Sequence, residues 1–152
     1  MHRLIVNVES KEDLTLVATF ADGEIVSYDV KVLMQRHPEF ERLHSKALFD
    51  SVKIDGIGYG VSWDDALDLS SDGIYLHGDH IGKTDPNLKI LLGQAIAQAR
   101  EEKHLSQRQL SKSSGVIQAE ISKLEQGLGN PTLSTLEKLA KALGKSVASL
   151  LS

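Results

Sequence analysis

Cysteine is absent from this sequence of 152 residues. Its absence excludes disulfide bonds, thiolate metal sites and a cysteine nucleophile, and it fits a reducing compartment. Long apolar runs are missing too, because uninterrupted apolar stretches extend over only a few residues, and nothing in the sequence resembles a signal peptide. We therefore predict a cytoplasmic protein with no membrane partner.

The charge is unevenly distributed along the chain. Residues 1–86 carry 8 Lys and Arg against 16 Asp and Glu, a net charge of −8, whereas residues 87–152 carry 9 against 5, a net charge of +4. A basic half favours a polyanionic partner. This pattern indicates nucleic acid as a partner of the C-terminal half only. The length of the chain separately allows two small domains with separate cores.

Strand patterns dominate the first half. The segment Leu4–Val8 is β-rich, and apolar residues recur at every second position from Leu14 to Phe20, the period of a half-buried strand. An Asp22-Gly23 turn leads into EIVSYDV, where Val26, Tyr28 and Val30 continue the alternation. These features predict a β-hairpin.

Beyond the hairpin, residues 31–51 predict one or two short helices interrupted at Pro38. A further strand is predicted from the alternation of Ile57, Tyr59, Val61 and Trp63. We therefore assign residues 1–85 to a small α+β domain.

Groups with the chemistry for metal binding or acid catalysis also lie in this half. His77, Asp79 and His80 cluster within HGDH, but no third metal ligand is identifiable, so an exposed loop is the favoured interpretation. Three acidic residues follow the predicted strand and are interpreted as solvated: Asp64, Asp65 and Asp68. Neither a nucleophile with a base nor a phosphate-binding glycine loop occurs. The sequence predicts no catalytic residue, no metal site, no cofactor and no enzyme activity.

From Asp85 onward the apolar period changes to that of a helix. Asp85 is the predicted N-cap and Pro86 the first helical residue, followed by apolar residues at helical spacing up to Ala99. The first turns, LKILL, are apolar on more than one side, which predicts that they dock against the N-terminal domain. Residues 86–152 are therefore expected to form an all-α domain.

Two short helices follow within LSQRQLSKSSGVIQAEISKLEQG. Ser106 and Gln109 form a capping box that starts one helix at Gln107, and Gly115 supplies its left-handed end. The next helix is predicted from about Gln118 to Gln126. Two short helices joined by a tight glycine-containing turn make a helix-turn-helix. NPTLSTLEKLAKALG and SVASLL predict a fourth and a fifth helix.

The third helix of this domain has two different faces. Ile121 and Leu124 point into the predicted bundle, and the opposite arc is polar: Gln118, Ala119, Ser122, Lys123 and Gln126. Such a face suits the major groove of DNA, where Gln can pair with adenine and Lys can reach guanine acceptors. A solvated helix face would look similar, but the neighbouring elements favour the groove.

These helices resemble the five-helix DNA-binding domain of the Xre and phage-repressor family over about residues 88–151. The LSQxxL start, the turn glycine, the IS-K-x-E-x-G helix and the NPxLxTLxKLAxALG tail occur in order. The resemblance implies that Gln107 lies near a phosphate, that Gln118 begins the recognition helix, and that Ala119, Ser122 and Lys123 face bases or backbone. We also expect Arg108 and Lys123 to lie near phosphates. The resemblance also implies an ion pair between Arg100 and Glu125.

Four positions depart from the family pattern. Ile117 replaces the usual Ser or Thr cap, which removes a side-chain acceptor worth about 1 kcal/mol. Leu128 and Gly129 replace basic residues, so phosphate contacts are fewer. Glu120 flanks the polar arc, where it repels phosphate or accepts from cytosine.

The first half of the chain contains a hairpin around ADGE, the segment ALFDSVKIDGIGYGVSW and the following ALDLSSDGIY. On these segments the first 85 residues resemble, more loosely, a small bacterial family of unknown function, some members of which stand in operons arranged like toxin and antitoxin pairs. The leading hypothesis is a sequence-specific transcriptional regulator that binds double-stranded DNA. Alternatives are an antitoxin whose acidic N-terminal domain neutralises a basic protein partner, and a ligand or metal sensor. We expect a homodimer formed through the N-terminal domain, where a protein partner or small effector would also act.

Overall fold

The structure, a computed structural model, describes residues 3–151 and divides into two compact units, one ending at Pro86 and the other beginning at Asn87. Each unit has a hydrophobic core of its own. The first unit is mixed α+β and the second is all-α, in agreement with the predicted fold class.

The N-terminal unit is built on a four-stranded antiparallel sheet. Its strands are β1 (Ile5–Lys11), β2 (Thr15–Phe20), β3 (Glu24–Asp29) and β7 (Asp79–Lys83), in the order β1-β2-β3-β7. The predicted alternation is present, because Leu16, Ala18 and Phe20 are buried and the residues between them are half-buried. The Asp22 carboxylate accepts the amide of Glu24 at 3.0 Å, which closes the predicted hairpin turn.

A second antiparallel sheet contains β4 (Lys53–Asp55), β5 (Gly60–Asp64) and β6 (Leu67–Ser70) in that order. Short helices accompany the sheets: α1 (Lys31–Met34), a 3-10 helix (Pro38–His44), α2 (Lys46–Phe49) and α3 (Ser71–His77). Aromatic residues fill much of the core, where the Trp63 indole donates to the carbonyl of Phe49 at 3.1 Å.

The predicted strand through Ile57 and Tyr59 is wrong over its first half. Gly58 donates its amide to the carbonyl of Asp55 at 3.0 Å and accepts the amide of Ile5 at 2.9 Å, which makes a turn of this stretch. Ile57 and Tyr59 are consequently exposed, and β5 begins only at Gly60.

Over the described residues, the C-terminal unit contains five helices, α4 (Leu88–Glu102), α5 (Gln107–Ser114), α6 (Gln118–Glu125), α7 (Leu133–Leu143) and α8 (Val147–Leu151). Apolar faces of all five meet in one core, which includes Ile96, Leu110, Ile121, Leu139 and Leu150. Among the described residues, no helix combines the length and the hydropathy that crossing a bilayer requires.

The predicted start of α4 at Asp85 and Pro86 is wrong by two residues. The side-chain oxygen of Asn87 accepts the amide of Ile90 at 3.2 Å and makes Asn87 the N-cap. An Asn side chain caps a helix as well as an Asp does, so residue type alone does not favour Asp85 over Asn87 as the N-cap.

Candidate nucleic-acid interface

Helix α5 begins and ends as its sequence predicts. The Ser106 hydroxyl accepts the amide of Gln109 at 3.0 Å, and the Gln109 side chain accepts the amide of Ser106 at 2.8 Å, which completes the capping box. Gly115 ends the helix with φ 79° and ψ 6°, the left-handed conformation that glycine adopts at no steric cost. Only Val116 and Ile117 separate this glycine from α6. The prediction of a helix-turn-helix is confirmed.

Helix α6 has a buried face and an exposed face. Ile121 and Leu124 are almost fully buried, whereas Gln118, Ala119 and Lys123 are exposed. Ser122 is half-buried, and its hydroxyl accepts from the side-chain amide of Gln126 at 3.1 Å. The buried and exposed faces of α6 therefore agree with the predicted inward and outward faces, except that Ser122 is half-buried.

One carboxylate connects three helices of the C-terminal unit. Glu125 accepts from Arg100 Nε at 2.7 Å, from a terminal guanidinium nitrogen of Arg100 at 3.1 Å, and from Gln107 Nε2 at 2.7 Å. Arg100 also donates to the carbonyl of Leu105 at 2.8 Å. We call these four residues the Glu125 cluster. It joins the end of α6 to α4 and to the start of α5.

The Glu125 cluster is largely shielded from water. The side chain of Arg100 is 14% exposed and that of Glu125 is 8% exposed. Hydrogen bonding to the Glu125 carboxylate raises the pKa of Arg100, so the guanidinium keeps its charge. A bidentate Arg–carboxylate pair fixes orientation as well as distance. The cluster therefore holds α6 in one position against α4 and α5.

Gln107 has a role that the sequence did not indicate. It was expected beside a phosphate, but in the structure its side-chain nitrogen donates to Glu125 and the residue is half-buried. Its place at the first position of α5 keeps its backbone amide at a helix N-terminus. Arg108, the next residue, is exposed.

Gly93 in α4 is a second feature that sequence analysis missed. A Cβ atom at this position would lie 2.1 Å from the carbonyl oxygen of Leu124 and 3.1 Å from that of Glu125. The backbones of α4 and α6 therefore approach more closely than any residue with a side chain allows. The sequence did contain a signal for this contact, because a lone glycine inside a helical pattern lowers helix propensity and indicates a packing role.

The HGDH segment was predicted as an exposed loop, and that prediction is wrong. Asp79 to Lys83 form strand β7, which pairs with β3. His80 Nδ1 lies 2.8 Å from a Glu24 carboxylate oxygen, and Nε2 lies 2.8 Å from the carbonyl of Tyr75. Within the described part of the chain, no three His, Asp or Glu side chains are grouped as a metal would need.

The surroundings of His80 favour its protonated form. Two acceptors face the two ring nitrogens, and only the imidazolium donates from both. The hydrogen bond to Glu24, followed by that to the Tyr75 carbonyl, raises the pKa of His80 above its ordinary value. This histidine fastens the β7 strand to β3 and α3.

We expect Glu24→Gln to lower the pKa of His80 toward its ordinary value of about 6.5. In the wild-type protein the contact between protonated His80 and Glu24 contributes its full stabilisation below about pH 6.5, the ordinary pKa that His80 has in the unfolded chain. That stabilisation is lost as the pH rises through the higher pKa of folded His80. An NMR titration of the His80 ring in both proteins measures the change. An identical pKa of His80 in the two proteins would show that Glu24 does not stabilise the protonated imidazole.

Of the three acidic residues at Asp64, Asp65 and Asp68, Asp64 has structural partners and is not simply solvated. Asp64 binds Arg42 at 2.6 Å and accepts the amides of Ala66 and Leu67 at 2.9 and 3.0 Å. The amide of Ala66, followed by Arg42, lowers the pKa of Asp64. Asp65 and Asp68 are exposed. Asp64 therefore closes the turn between β5 and β6.

Comparison with protein families finds two separate matches. Residues 96–150 match the model of a family described as helix-turn-helix, and residues 5–80 match a family described as a protein of unknown function, DUF2442. The boundary between the two matches falls in the same region as the division of the structure into two units.

Similar proteins carry the names of regulators. An HTH-type transcriptional regulator of Sinorhizobium fredii is 43% identical over 60 residues, which are 40% of this chain and 78% of that protein. The control protein C.SmaI of Serratia marcescens is 42% identical over 65 residues, 43% of this chain and 77% of that protein.

Among solved structures, the N-terminal DNA-binding domain of SinR from Bacillus subtilis is 38% identical. The match covers 41% of this chain and 91% of that domain, with a TM-score of 0.40.

Proposed function

Because this chain belongs to the helix-turn-helix family of DNA-binding transcriptional regulators, with a DUF2442 domain before the helix-turn-helix domain, we propose that α6 lies in the major groove of duplex DNA and recognises a specific sequence. One observation carries the proposal. Helix α6 presents an exposed polar face while the Glu125 cluster fixes its other face to α4 and α5. A fixed helix with free polar side chains is what base recognition requires.

The residues on the outward face of α6 divide into two roles, hydrogen bonding to DNA and close approach to the base edges. Gln118, at the first helical position, has an amide that can pair with both N6 and N7 of adenine. Lys123, one and a half turns further on, can reach guanine acceptors or a phosphate. Ala119 and Ser122 allow the helix to approach the base edges because both side chains are short.

Helix α5 supplies the phosphate contacts in this proposal. The first residues of a helix carry free amide groups and a partial positive charge, which favour an anion. Gln107 occupies that position, and Glu125 binds one of its side-chain N–H groups and orients the other. The exposed guanidinium of Arg108 lies beside it in sequence and adds a full charge.

The test is selection of bound duplexes from a random pool with the full chain, followed by titration of the selected duplex at several salt concentrations. We expect one enriched sequence and a log–log salt slope of about −0.9 for each phosphate contact. Gln118→Ala should cost about 1 to 3 kcal/mol on the selected duplex and much less on a random one. An unselective pool, or an affinity that ignores salt, would contradict the proposal.

We further propose that two copies bind together, through the N-terminal unit. A single recognition helix contacts only a few base pairs, and regulators of this type bind two half-sites about one helical turn apart. Strand β7 is an edge of the larger sheet, and all five of its residues are exposed, Ile81 to 59%. An exposed edge strand is a natural place for pairing with a second chain.

Sedimentation measures the oligomeric state of the full chain and of a fragment comprising residues 87–152, and so tests whether the N-terminal unit forms the dimer. We expect the full chain to dimerise and the fragment to remain monomeric at the same concentration. Ile81→Lys should weaken the full-length dimer without unfolding it, because Ile81 is mostly exposed. Equal dimerisation of the fragment and the full chain would place the interface in the C-terminal unit instead.

A further inference from the structure

Among the described residues of the C-terminal unit, α6 is the one helix that begins without a polar cap. The residues before the other four helices each accept a backbone amide through a side-chain oxygen: Asn87, Ser106, Thr132 and Ser146. Ile117 precedes α6, and within the described residues no side chain caps this helix. The chain therefore gives up the stabilisation that an N-cap supplies at this helix alone.

Ile117 is also unusual in its exposure. Its side chain is 67% exposed, so it contributes little to the core that Val116 and Ile121 on either side help to form. Neither capping nor packing accounts for isoleucine at this position. Local choices that oppose stability are expected at functional sites.

Ile117 lies next to the residues proposed to contact bases. It immediately precedes Gln118 and Ala119, which are both exposed, and it stands at the N-terminal end of α6. In a helix-turn-helix the N-terminal residues of the second helix contact the base edges. An isoleucine side chain has no hydrogen-bonding group, so it recognises neither a phosphate nor a base heteroatom.

We propose that Ile117 is a specificity-determining residue that contacts the C5 methyl group of a thymine in the half-site. That methyl is the one apolar group by which the major groove distinguishes the base pairs. The β-branched side chain has few rotamers and presents a rigid apolar surface to it. This inference rests on the proposed function, because it requires α6 to lie in the major groove.

The test compares thymine with uracil, which lacks only that methyl group. Each thymine of the selected duplex is replaced in turn by uracil, and the affinity of the full chain is measured. We expect one thymine per half-site at which the wild-type protein loses about four- to tenfold in affinity. Ile117→Ser should bind the thymine and uracil duplexes equally. Leu151→Ser, which changes an exposed apolar residue in α8, should retain the wild-type ratio.

A second measurement separates recognition from folding. Ile117→Ser introduces a hydroxyl at the N-cap, so we expect its melting temperature to rise by about 4 to 8 °C although its thymine preference is lost. An unchanged thymine-to-uracil ratio in Ile117→Ser would overturn the inference and leave the proposed function standing. Failure of the wild-type protein to select any duplex would overturn both.

Discussion

Replacing Glu125 alone with Ala is expected to lower the free energy of unfolding of the C-terminal unit by about 3 to 5 kcal/mol. The substitution removes the acceptor of three hydrogen bonds. It leaves the guanidinium of Arg100, only 14% exposed, without its counter-charge. An uncompensated buried charge costs far more than the intact pair contributes, because water no longer solvates it fully.

The measurement is urea and thermal unfolding followed by helical circular dichroism, on the full chain and on residues 87–152. In a unit of this size a loss of 1 kcal/mol lowers the melting temperature by about 4 to 8 °C. Replacing both Arg100 and Glu125 with apolar residues should cost less than either single change, since no charge is then left behind. Simply additive losses in the double-mutant cycle would exclude the coupling.

The chain offers a matched control in the same unit. Lys145 and Glu102 also form an ion pair, but at 3.8 Å and with side chains 42% and 54% exposed. Exposed pairs of this kind contribute about 0 to 1 kcal/mol. Glu102→Ala should therefore leave the melting temperature nearly unchanged, which separates the effect of burial from that of losing one carboxylate.

Loss of Glu125 should also weaken DNA binding if the proposed function holds. The carboxylate orients Gln107 at the start of α5 and fixes the end of α6. A loosened α6 has to be ordered again on binding, and that ordering reduces affinity. The loss should appear on the selected and the random duplex alike, unlike that of Gln118→Ala.

The helices of the C-terminal unit were predictable because their signals are local. Ser106 and Gln109 specify one helix start within four residues, and Gly115 specifies an end through its own backbone preference. Each signal needs only a few neighbouring residues, so no tertiary contact has to be known. The ion pair of Arg100 with Glu125 was expected because the whole segment resembles a known family, and the structure places the two together.

The N-terminal unit was less predictable because its pairings are distant in sequence. Strand β7 pairs with β3 across more than 50 residues, and His80 is held by Glu24 from that strand. Every residue of β7 is exposed, so neither face of the strand needs apolar side chains. The segment therefore lacks the apolar alternation by which a strand is predicted from sequence. Only the partner strand shows that Asp79 and His80 of HGDH belong to a sheet.

Two opposing effects on stability meet at Gly93. The helix propensity at this position favours alanine, whereas the tertiary contact with α6 requires glycine. In an isolated helix, Gly→Ala stabilises by about 1 kcal/mol. In this fold, Gly93 lies seven residues before Arg100, so both face α6. The missing Cβ leaves room for the Leu124 carbonyl oxygen, which would otherwise be only 2.1 Å away. A rigid backbone carbonyl cannot move aside as a side chain can.

We therefore expect Gly93→Ala to destabilise the C-terminal unit by about 3 kcal/mol, because α4 and α6 have to separate to accept one methyl group. Chemical denaturation of the two proteins measures the change. Gly82→Ala is the control, since a Cβ at Gly82 would meet nothing closer than Ile25 Cδ1 at 3.7 Å. If Gly93→Ala instead gained about 1 kcal/mol of stability, helix propensity would outweigh the contact, and the close approach of α4 and α6 would not be what positions α6.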